Sequence, residues 1–329
     1  MNRHERIVSL YRELLKMPEY EMTLELKGLD VSLYVFQRNF ASLRSLLVML
    51  KEPGADALFP PSNFAKLRPL HLEMVRRLHN FVAAATSLIE HVRALRAHWR
   101  EQRDVFPSFA ALEAKIQRET DLRFANDSLS RFVNQLRNFA THRELPRLLY
   151  RSHVGRSHPG IQRSVRLPLE FLRAWDGWTG PARAYLDSCR EDIDLLELVT
   201  AYYDKVVDFH GWLSQRLAEA ERSDFSSFID MSDELVLLEL EDRLDMSLAN
   251  PADCPLGEGV LFHKVFDLDD FHALATLPPD SPQRGNRAIG LLERDLPVSD
   301  TLKNKIRTVY KRRGFCADNP VGSIRRDED

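Results

Sequence analysis

Hydrophobic residues recur at intervals of three and four through most of residues 1–222, which is the spacing of one buried face of an α-helix. This spacing predicts one short amphipathic segment followed by four long helical regions. The predicted segments cover about residues 4–16, 29–51, 69–104, 108–143 and 186–221. Prolines stand at several boundaries, because a proline fits the first turn of a helix and ends a helix elsewhere. The pattern therefore predicts an all-α fold, an up-and-down bundle of long helices.

Two stretches interrupt this pattern. The third long region loses its periodicity over residues 119–127, where we expect a break. Glycine and proline punctuate residues 147–180, which we interpret as an arginine-rich loop insertion in the bundle. Within the insertion, residues 164–167 have the composition of a short strand that could form part of a hairpin.

The C-terminal third has a different character, and we divide the chain into a bundle domain, residues 1–222, and a remainder, residues 223–329. Residues 219–245 carry ten acidic residues against two arginines and are interpreted as an acidic connector. A linker rich in proline and glycine follows over residues 250–259. We expect a small module of mixed structure after the linker, with strand character at residues 260–262. Its last stretch has eight lysines or arginines and predicts a basic helix with a loose tail over residues 301–326.

Composition excludes several classes of protein. The net charge is −3, so any affinity for nucleic acid must come from a local patch. The longest clearly apolar uncharged run, residues 81–89, is far shorter than the roughly 20 residues of a membrane-spanning helix. The N-terminus is charged and lacks the apolar core of a signal peptide. The three cysteines are far apart and lack metal-ligand spacing. We therefore expect a cytoplasmic protein without membrane contact, metal or cofactor.

The most informative chemistry lies in residues 131–142, at the end of the third long region. Helical spacing places its apolar residues on one face and its polar residues on the other. Asn138 and His142 are four residues apart and are neighbours on a helix. Arg137 lies about 140° around the helix from His142 and can approach it only through its length or a loosened last turn. Histidine transfers protons near neutral pH and arginine holds phosphate oxygens in a fork, which is what phosphodiester chemistry requires.

The run from Arg137 to His142 reads Arg-Asn-Phe-Ala-Thr-His. An arginine, a polar residue, three further residues and a histidine near the end of a bundle helix resemble the motif of the HEPN superfamily (higher eukaryotes and prokaryotes nucleotide-binding). The resemblance covers about residues 29–221. It implies a helical-bundle ribonuclease that needs no metal and is often a homodimer, with two motifs facing across a cleft. Several members are toxins or effectors of antiviral defence, and others keep the bundle without activity.

The resemblance also implies a role for each residue of the motif. Arg137 would position the scissile phosphate and stabilise its charge. His142 would be the general base or acid for attack by the ribose 2′-hydroxyl, and Asn138 would orient His142 or the phosphate. The products would carry 2′,3′-cyclic phosphate ends.

An arginine-rich stretch supports contact with RNA. Residues 123–173 hold ten arginines, no lysine and only three acidic residues, which would attract phosphates. The arginines that we expect to bind RNA are Arg131, Arg143, Arg147, Arg151 and Arg156. The alternative is a surface loop whose positive charge is balanced by the acidic residues of 219–245.

Other candidates have weaker support. Residues 38–44 repeat most of the motif but have Leu43 in place of the histidine, so this copy is interpreted as structural. His210 lies among aromatic residues and is expected in a core or interface. The leading hypothesis is thus a dimeric HEPN-type RNA endonuclease, a toxin or defence effector with a regulatory protein partner. The alternative is a non-catalytic helical module for interaction or RNA binding. Residues 246–329 could also clamp the site as an inhibitor.

Overall fold

The computed structural model describes residues 2–52, 55, 63–154, 161–249, 258–279 and 281–312. Over these ranges it contains thirteen α-helices, one π-helical segment and three short strands. The predicted all-α fold is therefore confirmed. None of the helices in the described ranges is both long enough and apolar enough to cross a membrane.

The helices and strands follow one another in a simple order. The helices are α1 (Arg3–Leu14), α2 (Pro18–Met49), α3 (Phe64–Glu101), α4 (Pro107–Thr120), α5 (Ser128–His142), α6 (Leu169–Arg173), α7 (Gly180–Ser188), α8 (Leu195–Asp224), α9 (Ser226–Ala249), α10 (Glu258–Phe262), α11 (Leu268–Ala275), α12 (Pro282–Leu292) and α13 (Asp300–Arg312). The strands are β1 (Leu149–Val154), β2 (Ile161–Leu167) and β3 (Ile193–Asp194). The π-helical segment Asp121–Ala125 joins α4 to α5, at the predicted break.

The chain divides into two units. The bundle unit comprises residues 21–224, and the terminal unit comprises residues 1–20 together with residues 225–329. This division differs from the expected one at the N-terminus. The reason is the apolar face of α1, where buried Leu10 and Leu14 pack with Leu235 of α9.

The last predicted helix of the bundle unit is interrupted. Its first three residues, 186–188, are the end of α7, and six non-helical residues then follow before α8 begins at Leu195. The extended residues of β3 pair with β2, with Ile193 opposite Leu167 and Asp194 opposite Arg166. Pairing with β2 therefore holds residues 193 and 194 in a strand, which the hydrophobic periodicity along the chain does not predict.

The arginine-rich insertion is largely ordered structure. Strands β1 and β2 form an antiparallel hairpin from Leu149 opposite Arg166 to Val154 opposite Ile161, and β3 extends the sheet in the order β1-β2-β3. The predicted strand at residues 164–167 is therefore confirmed. The expectation of a loop beyond it is wrong, because α6 and the turn that leads to α7 follow and bring aromatic side chains, Phe171, Trp175 and Trp178, against Phe139.

The core beside α5 is aromatic. The Phe132 ring stacks on Tyr185 at 4.9 Å between centroids, and the Phe139 ring stacks on Trp178 at 5.5 Å. Phe139 also meets Trp175 edge-on at 5.4 Å. Offset and edge-to-face contacts of this kind add to the burial of large apolar side chains. They attach α5 firmly to α6, α7 and the turn between them.

The acidic residues of 219–245 lie on helices rather than in an open connector. On α9, Glu241 and Asp245 accept hydrogen bonds from Lys305 of α13, each at 2.8 Å. Glu234 holds the guanidinium of Arg6 with two hydrogen bonds, at 2.7 and 2.6 Å. These acids are therefore paired with cations of their own unit.

The C-terminal module is helical where the structure describes it. The expected strand at residues 260–262 is wrong, because these residues form helix α10, in which Leu261 and Phe262 are buried. A short apolar run fits a buried strand or a buried helical turn equally well. The predicted basic helix is α13, which ends at Arg312. Most of the predicted linker and the predicted tail lie outside the described residues.

We expect the packing of Phe139 to carry much of the stability of the bundle unit. Its side chain is fully buried, so Phe139→Ala should lower the free energy of unfolding by about 3–5 kcal/mol. Urea unfolding followed by the fluorescence of the neighbouring tryptophans measures this. Leu122→Ala is the control, because 79% of Leu122 is exposed and its loss should change stability by no more than about 0.5 kcal/mol. Equal effects of the two substitutions would contradict the described core.

Candidate functional site

The start of α5 is held by a capping aspartate, Asp127. The Asp127 carboxylate accepts hydrogen bonds from the backbone amide of Ser130 at 2.9 Å and from its hydroxyl at 2.6 Å. Lys205 of α8 adds an ion pair at 3.0 Å. Burial alone would raise the pKa of Asp127, but the hydrogen bonds from Ser130 and Lys205 outweigh it and the pKa is lowered. The first turn of α5 is thus tied to α8.

The buried face of α5 matches the predicted one. Phe132, Val133, Leu136 and Phe139 are each at most 1% exposed. Because the periodicity of a helix fixes one face once the other is buried, the polar residues must lie on the remaining faces. The packing therefore sets which way Arg131, Asn138 and His142 project.

Arg137, Asn138 and His142 lie in the last turns of α5. Nη1 of Arg137 donates to Oδ1 of Asn138 over a long 3.4 Å. His142 is the last residue of α5 and is exposed. Within the described residues, no carboxylate lies within 4.0 Å of the charged group of Arg137 or of His142, whereas Arg143 beside them pairs with Glu144. The three residues thus present a cation and an imidazole to solvent on the final turns of a packed helix.

Three of the arginines expected to bind RNA form ion pairs within the bundle unit. Arg143 and Arg147 share Glu144, at 3.7 and 3.3 Å, and the Arg147 guanidinium lies over the ring of Phe171 at 4.3 Å. Arg151 pairs with Asp192. Arg156 lies outside the described residues. The ion pairs of Arg143 and Arg147 with Glu144 are exposed and therefore weak, so a phosphate can compete for these two guanidinium groups.

Arg131 lies at a different place from the motif. It precedes His142 by eleven residues, about 16 Å along the helix axis. There it lines a cavity of about 230 Å³, whose walls come from α3, α4, the π-helical segment, α5 and α8. Arg131 therefore lines a cavity that includes neither Arg137 nor His142, although helical spacing had placed Arg131 on the same polar side as His142.

The same cavity contains residues that the sequence analysis missed or interpreted only as core. Tyr202 donates a hydrogen bond from its hydroxyl to Oδ1 of Asn134 at 3.0 Å. His210 is buried, as expected, and burial lowers its pKa to about 4, so its imidazole is neutral at neutral pH. Arg96 reaches the wall from α3. The break predicted at residues 119–127 was the one local signal of this site, since the π-helical segment forms part of it.

Two alternatives to the motif are its copy at residues 38–44 and a metal site. In the copy at residues 38–44, Leu43 is fully buried and Phe40 is 7% exposed, so this stretch serves the core of the bundle unit. Within the described ranges, no three histidine, cysteine, aspartate or glutamate side chains lie close enough together to hold a metal ion.

Comparison of the chain with protein-family models, with curated proteins and with solved structures finds no match. The resemblance to the HEPN superfamily therefore stays a prediction, which rests on the run from Arg137 to His142 and its position on a bundle helix.

We expect Asp127 to stabilise α5 in a pH-dependent manner. Asp127→Ala should cost about 1 kcal/mol at neutral pH, the usual value of a lost helix cap. The pKa of Asp127 is lowered from its ordinary 3.8, so this stabilisation is present above the unfolded value and is lost as pH falls through the folded value. Urea unfolding of both proteins in a series from neutral to acidic pH measures the difference.

Asp127→Asn serves as the control for that series, because an asparagine oxygen also caps a helix but carries no charge. It should retain most of the stability at neutral pH. A difference between the parent and Asp127→Ala that stays constant or grows on acidification would contradict the assignment.

Proposed function

We propose that this chain is a metal-independent RNA endonuclease with its site at Arg137, Asn138 and His142. The observation that carries the proposal is the placement of these three side chains in the last turns of α5, with no carboxylate of the described residues paired to Arg137. A guanidinium that is not neutralised within the fold is available to hold a phosphodiester. From the resemblance to the HEPN superfamily we further propose that the endonuclease is a toxin or an antiviral-defence effector with a regulatory protein partner.

The chemistry follows from the groups present. A neutral imidazole of His142 accepts the proton of a ribose 2′-hydroxyl while the 2′-oxygen attacks the adjacent phosphorus. The bond from phosphorus to the 5′-oxygen breaks, and that oxygen leaves with a proton from an acid. The products are a 2′,3′-cyclic phosphate and a 5′-hydroxyl. Arg137 stabilises the charge that builds on the phosphate oxygens, and Asn138 orients the phosphate or the imidazole.

A homodimer forms part of the proposal. One imidazole cannot be the base and the acid in the same step, and His142 is exposed on an open surface. Two copies that face one another would supply a base, an acid and two guanidinium groups. They would also exclude water from the phosphate, which strengthens its electrostatic contacts.

Cleavage of labelled mixed-sequence RNA in the presence of EDTA tests the site. The parent should cut the RNA and leave 2′,3′-cyclic phosphate ends. His142→Ala should lower kcat/KM by about 10²- to 10⁴-fold, the usual contribution of a general base or acid. Arg137→Ala should lower it by about 10²- to 10³-fold through loss of charge stabilisation. Circular dichroism of each variant verifies the helical fold.

The chain offers matched controls for this assay. Arg38→Ala removes the equivalent arginine from the copy at residues 38–44, and His79→Ala removes an exposed histidine of α3. Both variants should cleave as the parent does. A His142→Ala variant that cleaves at the parental rate would overturn the site.

The dimer is tested separately by sedimentation velocity at the protein concentration of the cleavage assay. We expect a species of twice the chain mass, and the activity should fall on dilution below the dissociation constant of the dimer. A monomer that cleaves with undiminished specific activity would contradict the shared site.

The second candidate function is a non-catalytic helical module that binds RNA or a protein. It is favoured by the open surroundings of His142 and by the pairing of Arg143 and Arg147 with Glu144. RNA binding by the parent without cleavage would support this function over the nuclease. Both Arg137→Ala and added salt should weaken that binding.

A further inference from the structure

The cavity beside Arg131 has the form of a built binding site. Five segments of the bundle unit line its volume of about 230 Å³, which is room for several water molecules. One of the segments is the π-helical turn, an arrangement that is rare in proteins and is often found at functional sites.

The polar groups of the wall are mostly hydrogen-bond donors. Oδ1 of Asn134 is used by the hydroxyl of Tyr202, so the amide nitrogen, with its two protons, remains for a ligand. Arg131 adds a partly exposed guanidinium, and no carboxylate of the described residues lies within 4.0 Å of its nitrogen atoms. The groups that α5 leaves free in this wall are therefore donors, and free donors favour a ligand rich in acceptors.

The other charges of the wall are already engaged. Arg93 donates to Glu90 at 2.6 Å, and Arg96 donates to Glu113 at 2.6 Å. The carboxylate of Asp121 accepts a hydrogen bond from Gln117 at 2.7 Å, and Gln117 in turn accepts one from Arg96. Arg131 is thus the cation of the wall whose counter-ion the described residues do not supply.

The remainder of the wall is apolar. Val92 of α3, Phe124 of the π-helical segment, and Val206 and Phe209 of α8 line it. The rings of Phe124 and Phe209 meet edge to face at 5.4 Å between centroids, which gives this part of the cavity a fixed shape. A ligand with a flat apolar body can bury that body here while its polar end reaches α5.

We propose that this cavity binds a small organic carboxylate, with the carboxylate held by Arg131 and Asn134 and a flat apolar body between α3 and α8. This site differs from the motif of the proposed nuclease, whose Arg137 and His142 lie about 9 and 16 Å further along the axis of α5 than Arg131. Ligand binding in this cavity requires neither RNA nor His142, so the outcome of its test does not depend on the proposed function.

The pair 2-naphthoate and 2-naphthamide tests the proposal, because the two probes share a shape and differ in charge. Titration of the full chain, followed by calorimetry, should give saturable binding of one 2-naphthoate per chain. The 2-naphthamide should bind about tenfold to hundredfold more weakly, the usual effect of losing hydrogen bonds to a charged group. Arg131→Gln should weaken 2-naphthoate by a similar factor and so remove most of the preference for the anion.

Three further variants make the test decisive. Arg118→Gln removes the same charge from an exposed position of α4 outside the cavity and should leave binding unchanged. His142→Ala should also leave it unchanged. Ala125→Phe places a ring in the wall and should abolish binding of both probes, with circular dichroism to verify the fold. Arg131 is partly exposed, so its substitution is informative even where the larger change at Ala125 harms folding.

Several results would overturn the proposal. One is the absence of saturable 2-naphthoate binding at millimolar concentrations. Another is equal affinity for the acid and the amide, which would indicate a merely apolar cavity. Retention of the parental affinity by Arg131→Gln would place the bound carboxylate elsewhere on the chain.

Discussion

The packing of α5 on the aromatic side chains of α6, α7 and the turn between them sets the arrangement of the bundle unit. Phe132 and Phe139 are fully buried and stack on Tyr185 and Trp178. Successive residues of a helix are about 100° apart, so rotating α5 by one residue would expose these rings and bury polar groups without partners. Both outcomes cost several kcal/mol. The direction in which each polar residue of α5 projects therefore depends on this contact.

The π-helical segment before α5 determines what the N-terminal half of that helix can do. It breaks the line between α4 and α5 and places Phe124 in the wall of a cavity with Arg131 and Asn134. Asp127 then restarts a regular helix by capping it. A continuous helix would keep its hydrogen bonds regular, but it would not form this recess. The two ends of α5 thus have different surroundings: Arg131 lines the cavity that the irregular segment helps to form, and His142 is exposed.

Charge in this protein is largely balanced within each unit. In the bundle unit, Arg123 pairs with Glu119 and Asp208, and Arg151 pairs with Asp192. In the terminal unit, the acidic residues of α9 hold Arg6 and Lys305. The number of excess arginines in a stretch of sequence is therefore larger than the number of positive charges that are free to bind a ligand. Among the arginines to which the described residues bring no carboxylate within 4.0 Å, Arg131 lines the cavity and Arg137 lies beside Asn138 in the motif. These two guanidinium groups carry the two proposals.

The amino-acid sequence by itself determined the features that depend on near neighbours along the chain: the long helices, the buried face of α5, the break at residues 119–127 and the strand at residues 164–167. Each follows from a spacing of a few residues or from local composition. Only the tertiary structure decided that α1 belongs with α9, that β3 interrupts a predicted helix, and that Arg131 lies with Tyr202 and His210 in a cavity. Those outcomes depend on contacts between residues far apart in sequence, whose packing and pairing energies no local pattern contains.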